Sequence, residues 1–280
     1  MVQYCRPRDL SDALERLGDA NGHGRVLVGG TDLLVHVRRQ PAEPLVLIDI
    51  KTASDLPPAV EITDELVRFG PTAVMSSLAV DPQLRAWFPA LVDASAVVGS
   101  VAIRNRASLI GNICNASPAC DTAPALLVHD ARVTILSRDG TRSMPLTDFF
   151  LAPGRTACAP GELVIALEVP HPANGFRSAF QRLTRRRGVD LATVSVAAGV
   201  TADGAITLGL GAVAPTPLLT AASAPIDCAN VDEVTAAVDD LTSIANPISD
   251  VRAGREYRMA MTRVLAARAV CAAAQIEGAS

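Results

Sequence analysis

Residues 107–127, which read ASLIGNICNASPACDTAPALL, constrain the fold of this chain more than any other stretch. Their side chains are small, with Gly, Asn, Ser, Thr and a single Asp set among Ala and Pro, and they leave almost no bulk to fill a core. Glycine lets a ligand approach the backbone closely because it has no Cβ atom. Asn and Ser donate hydrogen bonds without adding charge, and a carboxylate accepts them from hydroxyl groups. This small-residue segment (residues 107–127) is therefore predicted to cradle a ligand that carries hydroxyl and phosphate groups.

Length and composition predict a globular protein of two units. The chain has 280 residues, of which 49% are hydrophobic and 19% charged, enough apolar material for a sizeable core. Aromatic residues make up only 3%, so aliphatic side chains would have to cover any planar ligand. The formal net charge is −4, whereas a nucleic-acid-binding surface needs clustered positive charge. A nucleic-acid partner is therefore not expected.

The basic residues form one cluster, at Arg182, Arg185, Arg186 and Arg187. The first interpretation of this cluster is a solvated loop beside a strand. Contact with another subunit and contact with a cofactor phosphate are the alternatives. The sequence alone leaves all three open.

The cysteines and histidines do not form a metal-binding pattern. The six cysteines include no Cys-x-x-Cys pair and the four histidines are scattered, so neither a zinc site nor an iron–sulfur cluster is expected on this chain. The first ten residues, MVQYCRPRDL, carry charge where a signal peptide needs an apolar core, and no apolar run reaches the roughly 20 residues that span a bilayer. We therefore expect a cytoplasmic protein with free thiols and no membrane span. Disulfide bonds are the alternative that the even number of cysteines leaves open.

Hydrophobic periodicity divides the first 172 residues into two subdomains, of about residues 1–57 and 58–172. The first is predicted to be a helix followed by a strand, turn, helix, strand unit, and Pro57-Pro58 marks its end. The second is predicted to hold short strands and helices, with a hairpin at Asp139-Gly140 because both residues tolerate positive φ. The predicted helices cover residues 9–17, 33–39, 76–80 and 89–99, and the predicted strands residues 25–28, 44–50, 60–62, 66–70, 131–137, 141–144 and 162–169.

Residues 173–280 are predicted to form a separate unit after a linker rich in proline and glycine. Three strands and then two helices predict an α+β layer, with the helices packed on one face of a three-stranded antiparallel sheet. The predicted strands cover residues 177–183, 192–201 and 205–213, and the predicted helices residues 231–244 and 255–275.

A second candidate cradle lies near the start of the chain, in residues 28–33, which read VGGTDL. Gly29 and Gly30 follow a predicted strand and precede a predicted helix, where free backbone N–H groups and the helix dipole favour an anion. This glycine turn (residues 28–33) is neither a Rossmann fingerprint nor a P-loop. Alternatively, Thr31 or Asp32 simply caps the helix, and the small-residue segment is an ordinary loop of Asx and Ser turns.

The order of the two motifs resembles that in the FAD-binding subunits of the molybdenum hydroxylase family, which includes xanthine dehydrogenase and carbon monoxide dehydrogenase. In that family a Gly-Gly-x-x-Leu turn and a later Gly-Asn-Ile-x-x-Ala-Ser-Pro-x-x-Asp segment embrace FAD, and both occur in this chain. The resemblance covers nearly the whole chain. Its further elements are Gly161-Glu162-Leu163 with Glu168-Val169-Pro170, Ala179-Phe180, the turn from Gly211 to Pro217, and Pro247-Ile248-Ser249-Asp250-Val251-Arg252.

The resemblance implies an α+β fold with a two-part FAD-binding domain of the vanillyl-alcohol oxidase or PCMH type in residues 1–172, followed by a C-terminal flavoprotein domain in residues 173–280. It also assigns residues to the cofactor site. The pyrophosphate would be held by the backbone of Val28, Gly29, Gly30, Thr31, Asp32 and Leu33. The pyrophosphate and ribityl chain would be lined by Ser108, Gly111, Asn112 and Asn115, and Ser117 is assigned to the same site.

Four further positions follow from the resemblance. Asp121 would accept hydrogen bonds from the flavin hydroxyls, and Val164 would lie near the adenine or the ring edge. Leu191 would lie beside the isoalloxazine, where carbon monoxide dehydrogenase-like members carry Tyr, and Gln181 replaces a Lys found near the flavin in some relatives. Ile110 departs from the pattern as well, because many relatives have Gly there.

The family implies an oxidoreductase subunit that has no catalytic acid or base of its own. A large partner subunit would carry the molybdenum–molybdopterin cofactor, a small one would carry [2Fe-2S] clusters, and the complex would be a dimer of heterotrimers. FAD on this chain would take the electrons and pass them to NAD, a quinone or another acceptor. The alternatives are a self-contained flavin-dependent oxidase or dehydrogenase and a nucleotide-binding module without redox chemistry.

Overall fold

The chain folds into three main sheets with helices between them, and the computed structural model describes residues 2–39 and 44–275. The first sheet is parallel, with strand order β1-β3-β2, and helix α1 packs its apolar side chains against β3. A 3-10 turn at Ile50–Thr52 ends this part. Its elements are β1 (Val2–Cys5), α1 (Leu10–Asp19), β2 (Gly24–Leu27), α2 (Leu33–Arg39) and β3 (Leu45–Asp49). The predicted strand, turn, helix, strand unit is confirmed, and β1 was not predicted.

The second sheet has five antiparallel strands in the order β4-β5-β10-β6-β7. Gly140, with φ +130°, forms the predicted hairpin by pairing with Ser137. The strands are β4 (Val60–Ile62), β5 (Leu66–Phe69), β6 (Arg132–Ser137), β7 (Gly140–Pro145) and β10 (Leu163–Pro170), with a separate pair β8 (Phe150–Ala152) and β9 (Arg155–Thr156). The helices are α3 (Met75–Leu78), α4 (Pro82–Trp87), α5 (Pro89–Val97), α6 (Val101–Arg104), α7 (Leu109–Cys114), α8 (Thr122–Val128) and α9 (Leu146–Phe149).

The third sheet has four antiparallel strands, so the expectation of three strands is wrong. The additional strand β14 pairs with β13, and two prolines, Pro215 and Pro217, precede it and obscure its strand pattern. The strands are β11 (Arg177–Leu183), β12 (Val194–Val200), β13 (Ile206–Gly211) and β14 (Leu218–Ala221). The helices α10 (Val231–Thr242) and α11 (Arg255–Ala274) follow, as predicted.

The small-residue segment is part of the core, contrary to the expectation that it lacks the bulk for one. It contains α7 and α8, and every residue of α8 is buried. Small side chains fill this region because backbones approach each other directly: a Cβ atom on Gly209 of β13 would lie 2.2 Å from the Pro124 carbonyl oxygen of α8. The third sheet therefore packs one face on α5 and α8 and the other on α10 and α11.

In the two described ranges, no helix combines the length and the apolar character needed to cross a membrane.

Candidate functional site

The glycine turn and the small-residue segment lie against each other, backbone to backbone. A Cβ atom on Gly29 would lie 2.1 Å from the carbonyl oxygen of Arg106 and 3.2 Å from the Cα of Ala107. Gly30 has φ +71°, a conformation that other residues adopt only with strain. The fold thus requires both glycines where the two predicted cradles meet.

The start of the small-residue segment is fixed by backbone hydrogen bonds. Met75 N donates to Ala107 O over 2.9 Å, and Leu109 N donates to Ala73 O over 2.9 Å. Ser108 then caps α7, because its Oγ accepts a hydrogen bond of 3.2 Å from Gly111 N. Gly111 itself is exposed, so a ligand can reach its backbone.

Asn112 is held with its amide oxygen turned into the protein. Its Oδ1 accepts a hydrogen bond of 2.7 Å from Thr122 Oγ1 and one of 3.0 Å from Cys120 Sγ. The position of Oδ1 also fixes the amide NH2 group. This NH2 group donates to no other residue within ranges 2–39 and 44–275, so it can serve a ligand.

Asp121 directly precedes α8 and faces a guanidinium from the third sheet. Its Oδ1 lies 3.0 Å from Arg182 Nε, and the side chains of Asp121 and Arg182 are only 8% and 12% exposed. Burial raises the pKa of Asp121 to about 7, although the nearby Arg182 charge opposes this rise. Burial thus favours the neutral form of this carboxyl group, and Arg182 favours the charged form.

Arg182 was missed as a site residue because the sequence suggested a solvated cluster. Arg185, Arg186 and Arg187 are exposed, as that interpretation requires, whereas Arg182 turns inward. Its Nη1 donates to Val97 O at the end of α5. The alternation of β11 was the available signal, since Arg182 shares a face with the buried residue Ser178.

Leu191 lies at the end of an exposed segment, residues 184–191, and its side chain is 56% exposed. Asp190 Oδ1 accepts a hydrogen bond of 3.0 Å from Leu191 N and forms an ion pair of 2.9 Å with Arg185 Nη2. Arg182 Nη2 donates to the Asp190 carbonyl oxygen. Contacts that run from Asp121 through Arg182 and Asp190 to Leu191 therefore link the small-residue segment to this exposed segment.

The other predicted site residues are more dispersed. Asn115 is the exposed C-cap of α7, and Ser117 Oγ accepts a hydrogen bond of 3.3 Å from Ala119 N. Val164 is buried in β10, against which α7 packs. Gln181 lies on the face of β11 opposite Arg182, on the side of Ala179 and Leu183, which pack into the core with α10 and α11. In the glycine turn, Val28 is half-buried and Asp32 exposed, and Thr31 and Leu33 lie half-buried around it.

This arrangement suits the binding of a polar ligand. It offers backbone N–H groups, an amide and one carboxylate to a ligand with hydroxyl and phosphate groups. Among residues 2–39 and 44–275, no three His, Cys, Asp or Glu side chains lie close enough to hold a metal ion.

Two family models match the chain. The model described as the FAD binding domain in molybdopterin dehydrogenase matches residues 1–172. The model described as the CO dehydrogenase flavoprotein C-terminal domain matches residues 178–273. The two family models thus cover the N-terminal and the C-terminal part of the chain in turn.

Individual proteins match over nearly their full length. The chain is 30% identical over 287 residues to the xanthine dehydrogenase FAD-binding subunit of Escherichia coli O157:H7, with 97% of each chain covered. It is 29% identical over 278 residues to the carbon monoxide dehydrogenase medium chain of Hydrogenophaga pseudoflava, with 97% of this chain and 96% of that one covered. Reconstituted CO dehydrogenase from Oligotropha carboxidovorans superposes with a TM-score of 0.91 and 28% identity, over 98% of this chain and 97% of that one.

Proposed function

Because this chain belongs to the family of FAD-binding medium subunits of xanthine dehydrogenase and carbon monoxide dehydrogenase, we propose that its glycine turn and small-residue segment bind FAD together. The chain is the flavoprotein subunit of a molybdenum-dependent oxidoreductase. The observation that carries the proposal is the contact at Gly29, where a side chain would collide with the Arg106 carbonyl and separate the two cradles.

The proposed FAD site takes its residues from three places. The glycine turn presents backbone N–H groups to the pyrophosphate, and the exposed Gly111 and the fixed amide of Asn112 lie farther along the cofactor. Asp121 accepts hydrogen bonds from hydroxyl groups of the cofactor. The full set is Val28, Gly29, Gly30, Thr31, Asp32, Leu33, Ser108, Gly111, Asn112, Asn115, Ser117, Asp121, Val164, Gln181 and Leu191. Of these, Gln181 lies on the face of β11 opposite Arg182.

The two-part architecture supports a FAD-binding domain of the vanillyl-alcohol oxidase or PCMH type in residues 1–172. Its proposed subdomains, about 1–57 and 58–172, correspond to the parallel three-stranded sheet and the antiparallel five-stranded sheet. The C-terminal flavoprotein domain, residues 173–280, supplies the four-stranded sheet. The proposed cofactor site lies where the subdomains meet at Gly29 and extends to the C-terminal domain at Arg182.

The proposed partners divide the chemistry of the complex. A large subunit holds the molybdopterin cofactor and oxidises the substrate, and a small subunit passes electrons to this chain through [2Fe-2S] clusters. When bound, FAD supplies the redox chemistry that forwards these electrons to NAD, a quinone or another acceptor. This chain's residues hold the cofactor and keep its environment fixed. We place the complex in the cytoplasm as a dimer of heterotrimers.

Purification of the chain alone tests this function. We expect about one FAD per chain and a yellow absorbance that bleaches with dithionite, but no turnover of small substrates. FAD at about 1,000 times its dissociation constant should add roughly 4 kcal/mol to the free energy of unfolding.

Two results would contradict the proposal in different ways. Robust substrate oxidation by the isolated chain would indicate a self-contained flavin oxidase or dehydrogenase. A colourless chain whose unfolding temperature does not change with added FAD would exclude both the flavoprotein subunit and the self-contained flavin enzyme.

A further inference from the structure

Arg182 joins three parts of the molecule through one guanidinium. Its Nε lies 3.0 Å from Asp121 Oδ1, its Nη1 lies 3.5 Å from Val97 O, and its Nη2 donates to Asp190 O. Asp121 belongs to the small-residue segment and pairs with Arg182 by charge, whereas Val97 at the end of α5 and Asp190 in the exposed segment 184–191 accept its hydrogen bonds. Arginine suits this role because its planar fork presents several donors in fixed directions.

The contact with Asp190 connects Arg182 to the backbone of Leu191. Asp190 binds the Leu191 N–H through its own carboxylate, over 3.0 Å, and Arg185 holds the same carboxylate in two hydrogen bonds of 3.2 Å and 2.9 Å. Movement of Arg182 away from Asp190 would therefore remove a hydrogen bond that ties this locally bonded backbone, which carries Leu191, to the rest of the domain.

The ion pair leaves part of Asp121 available. Only Oδ1 faces Arg182, and within the described ranges no donor binds Oδ2. In the part of the chain that the structure describes, two titratable groups face the carboxylate: the Arg182 guanidinium from β11 and the thiol of Cys120, which burial keeps neutral by raising its pKa to about 11. Arg182 is thus the cation that favours the charged form of Asp121.

We propose that Arg182 is a positioning residue of the flavin site, which holds the Asp121 carboxylate and segment 184–191 in a single arrangement and so couples cofactor binding at Asp121 to the position of Leu191. The inference rests on the proposed function, because it requires FAD at Asp121. It adds a residue outside both glycine motifs, supplied by the C-terminal domain.

The test compares Arg182→Met with Arg187→Met in the full chain. Arg187 is exposed and forms no ion pair in the part of the chain that the structure describes, so its variant controls for loss of charge in the same cluster. We expect Arg182→Met to weaken FAD binding by about tenfold or more, measured by flavin fluorescence, because it removes the cation beside Asp121. The visible circular dichroism of saturated FAD should also change in Arg182→Met and stay as in the wild type in Arg187→Met.

A pH series separates positioning from general damage. Wild-type affinity for FAD should rise as Asp121 loses its proton, and Arg182→Met should shift the midpoint to higher pH because the carboxylate then lacks its cation. Asp121→Asn should flatten the profile, and adding Arg182→Met to Asp121→Asn should shift nothing further. Arg182→Lys should keep the wild-type midpoint but show the altered dichroism, since an ammonium group cannot contact Asp121, Val97 and Asp190 together.

If Arg182→Met binds FAD with the affinity, the pH midpoint and the visible circular dichroism of the wild type, the inference is overturned while the proposed function stands. Failure of the wild-type chain to bind FAD would instead overturn the proposed function and this inference with it. If Arg182→Met does not fold, Arg182→Lys decides through its dichroism, which should differ from that of the wild type.

Discussion

Gly29 shows how a single hydrogen atom in place of a side chain determines the candidate site. We expect Gly29→Ala to weaken FAD binding and to destabilise the fold by about 1–3 kcal/mol, because its Cβ would lie 2.1 Å from the Arg106 carbonyl oxygen and force the two cradles apart. Flavin fluorescence and urea unfolding measure the two effects.

The matched control is Gly18→Ala in α1. Its Cβ would meet only the end of the exposed Arg138 side chain, which can move, and alanine favours a helix by up to about 1 kcal/mol over glycine. We expect unchanged FAD binding and equal or higher stability. Wild-type behaviour of Gly29→Ala would show that the two cradles do not depend on this contact.

At the residue scale, sequence reasoning located the glycines but not the arginine. Gly29 and Gly30 stand out because their spacing after a strand is itself a signal. Arg182 carries no such local signal, since its partner Val97 lies 85 positions away in the sequence. Contacts of this kind exist only once the sheets and helices have packed.

Among the elements, α8 ends in a buried histidine that joins the two domains. His129 Nε2 lies 2.9 Å from Ser178 Oγ of β11, and the rings of Phe88 and Phe176 meet the imidazole edge-on at 5.0 Å and 5.2 Å. Burial without a charged partner lowers the pKa of His129 to about 3. The imidazole is therefore neutral across the physiological range.

This depressed pKa predicts acid sensitivity. The unfolded chain binds a proton at this histidine below about pH 6.5, whereas the folded chain binds one only below about pH 3. Protonation therefore favours the unfolded chain, and the free energy of unfolding falls as the pH falls from about 6.5 to about 3. We expect the stability advantage of the wild type over His129→Gln to shrink by up to about 1.4 kcal/mol per pH unit in urea unfolding between pH 6 and 4.

His23→Gln is the control, because His23 is exposed in the loop before β2. This variant controls for the loss of one imidazole from an exposed position. A constant difference between wild type and His129→Gln would show that His129 takes up its proton in the folded protein as well.

Elements with one buried face were predictable, and those without one were not. The periodic helices α1 and α10 follow directly from their patterns, and the hairpin β6–β7 follows from its Asp139-Gly140 turn. Helix α8 is buried on every side, so its sequence TAPALLV shows no polar face, and it was interpreted as part of a ligand-binding loop. Strand β1 is mostly exposed and gave no apolar pattern.

For the whole molecule, the C-terminal sheet is shared between two cores. Strand β12 is buried on both faces: Ala197 packs with the helices of the first domain, and Val196 and Ala198 pack with α10 and α11. The packing is therefore continuous across the proposed domain boundary at residue 172.

Gly209→Ala tests this continuity. A Cβ atom at residue 209 would lie 2.2 Å from the Pro124 carbonyl oxygen, so the sheet could no longer rest on α8 at that point. We expect a loss of about 1–3 kcal/mol in the free energy of unfolding and faster proteolysis in residues 171–176 between the domains. Gly18→Ala again serves as the control, and equal unfolding of Gly209→Ala and wild type would contradict the close seating of β13 on α8.

The hydrogen bond from Cys120 to Asn112 has a consequence for oxidative damage. Thiolates, rather than thiols, act as nucleophiles and are oxidised to sulfenic acids. Burial keeps Cys120 protonated, with a pKa of about 11, and it is 2% exposed. The protein thus places a sulfur atom at its candidate cofactor site as a buried hydrogen-bond donor, and we expect this thiol to react slowly with oxidants.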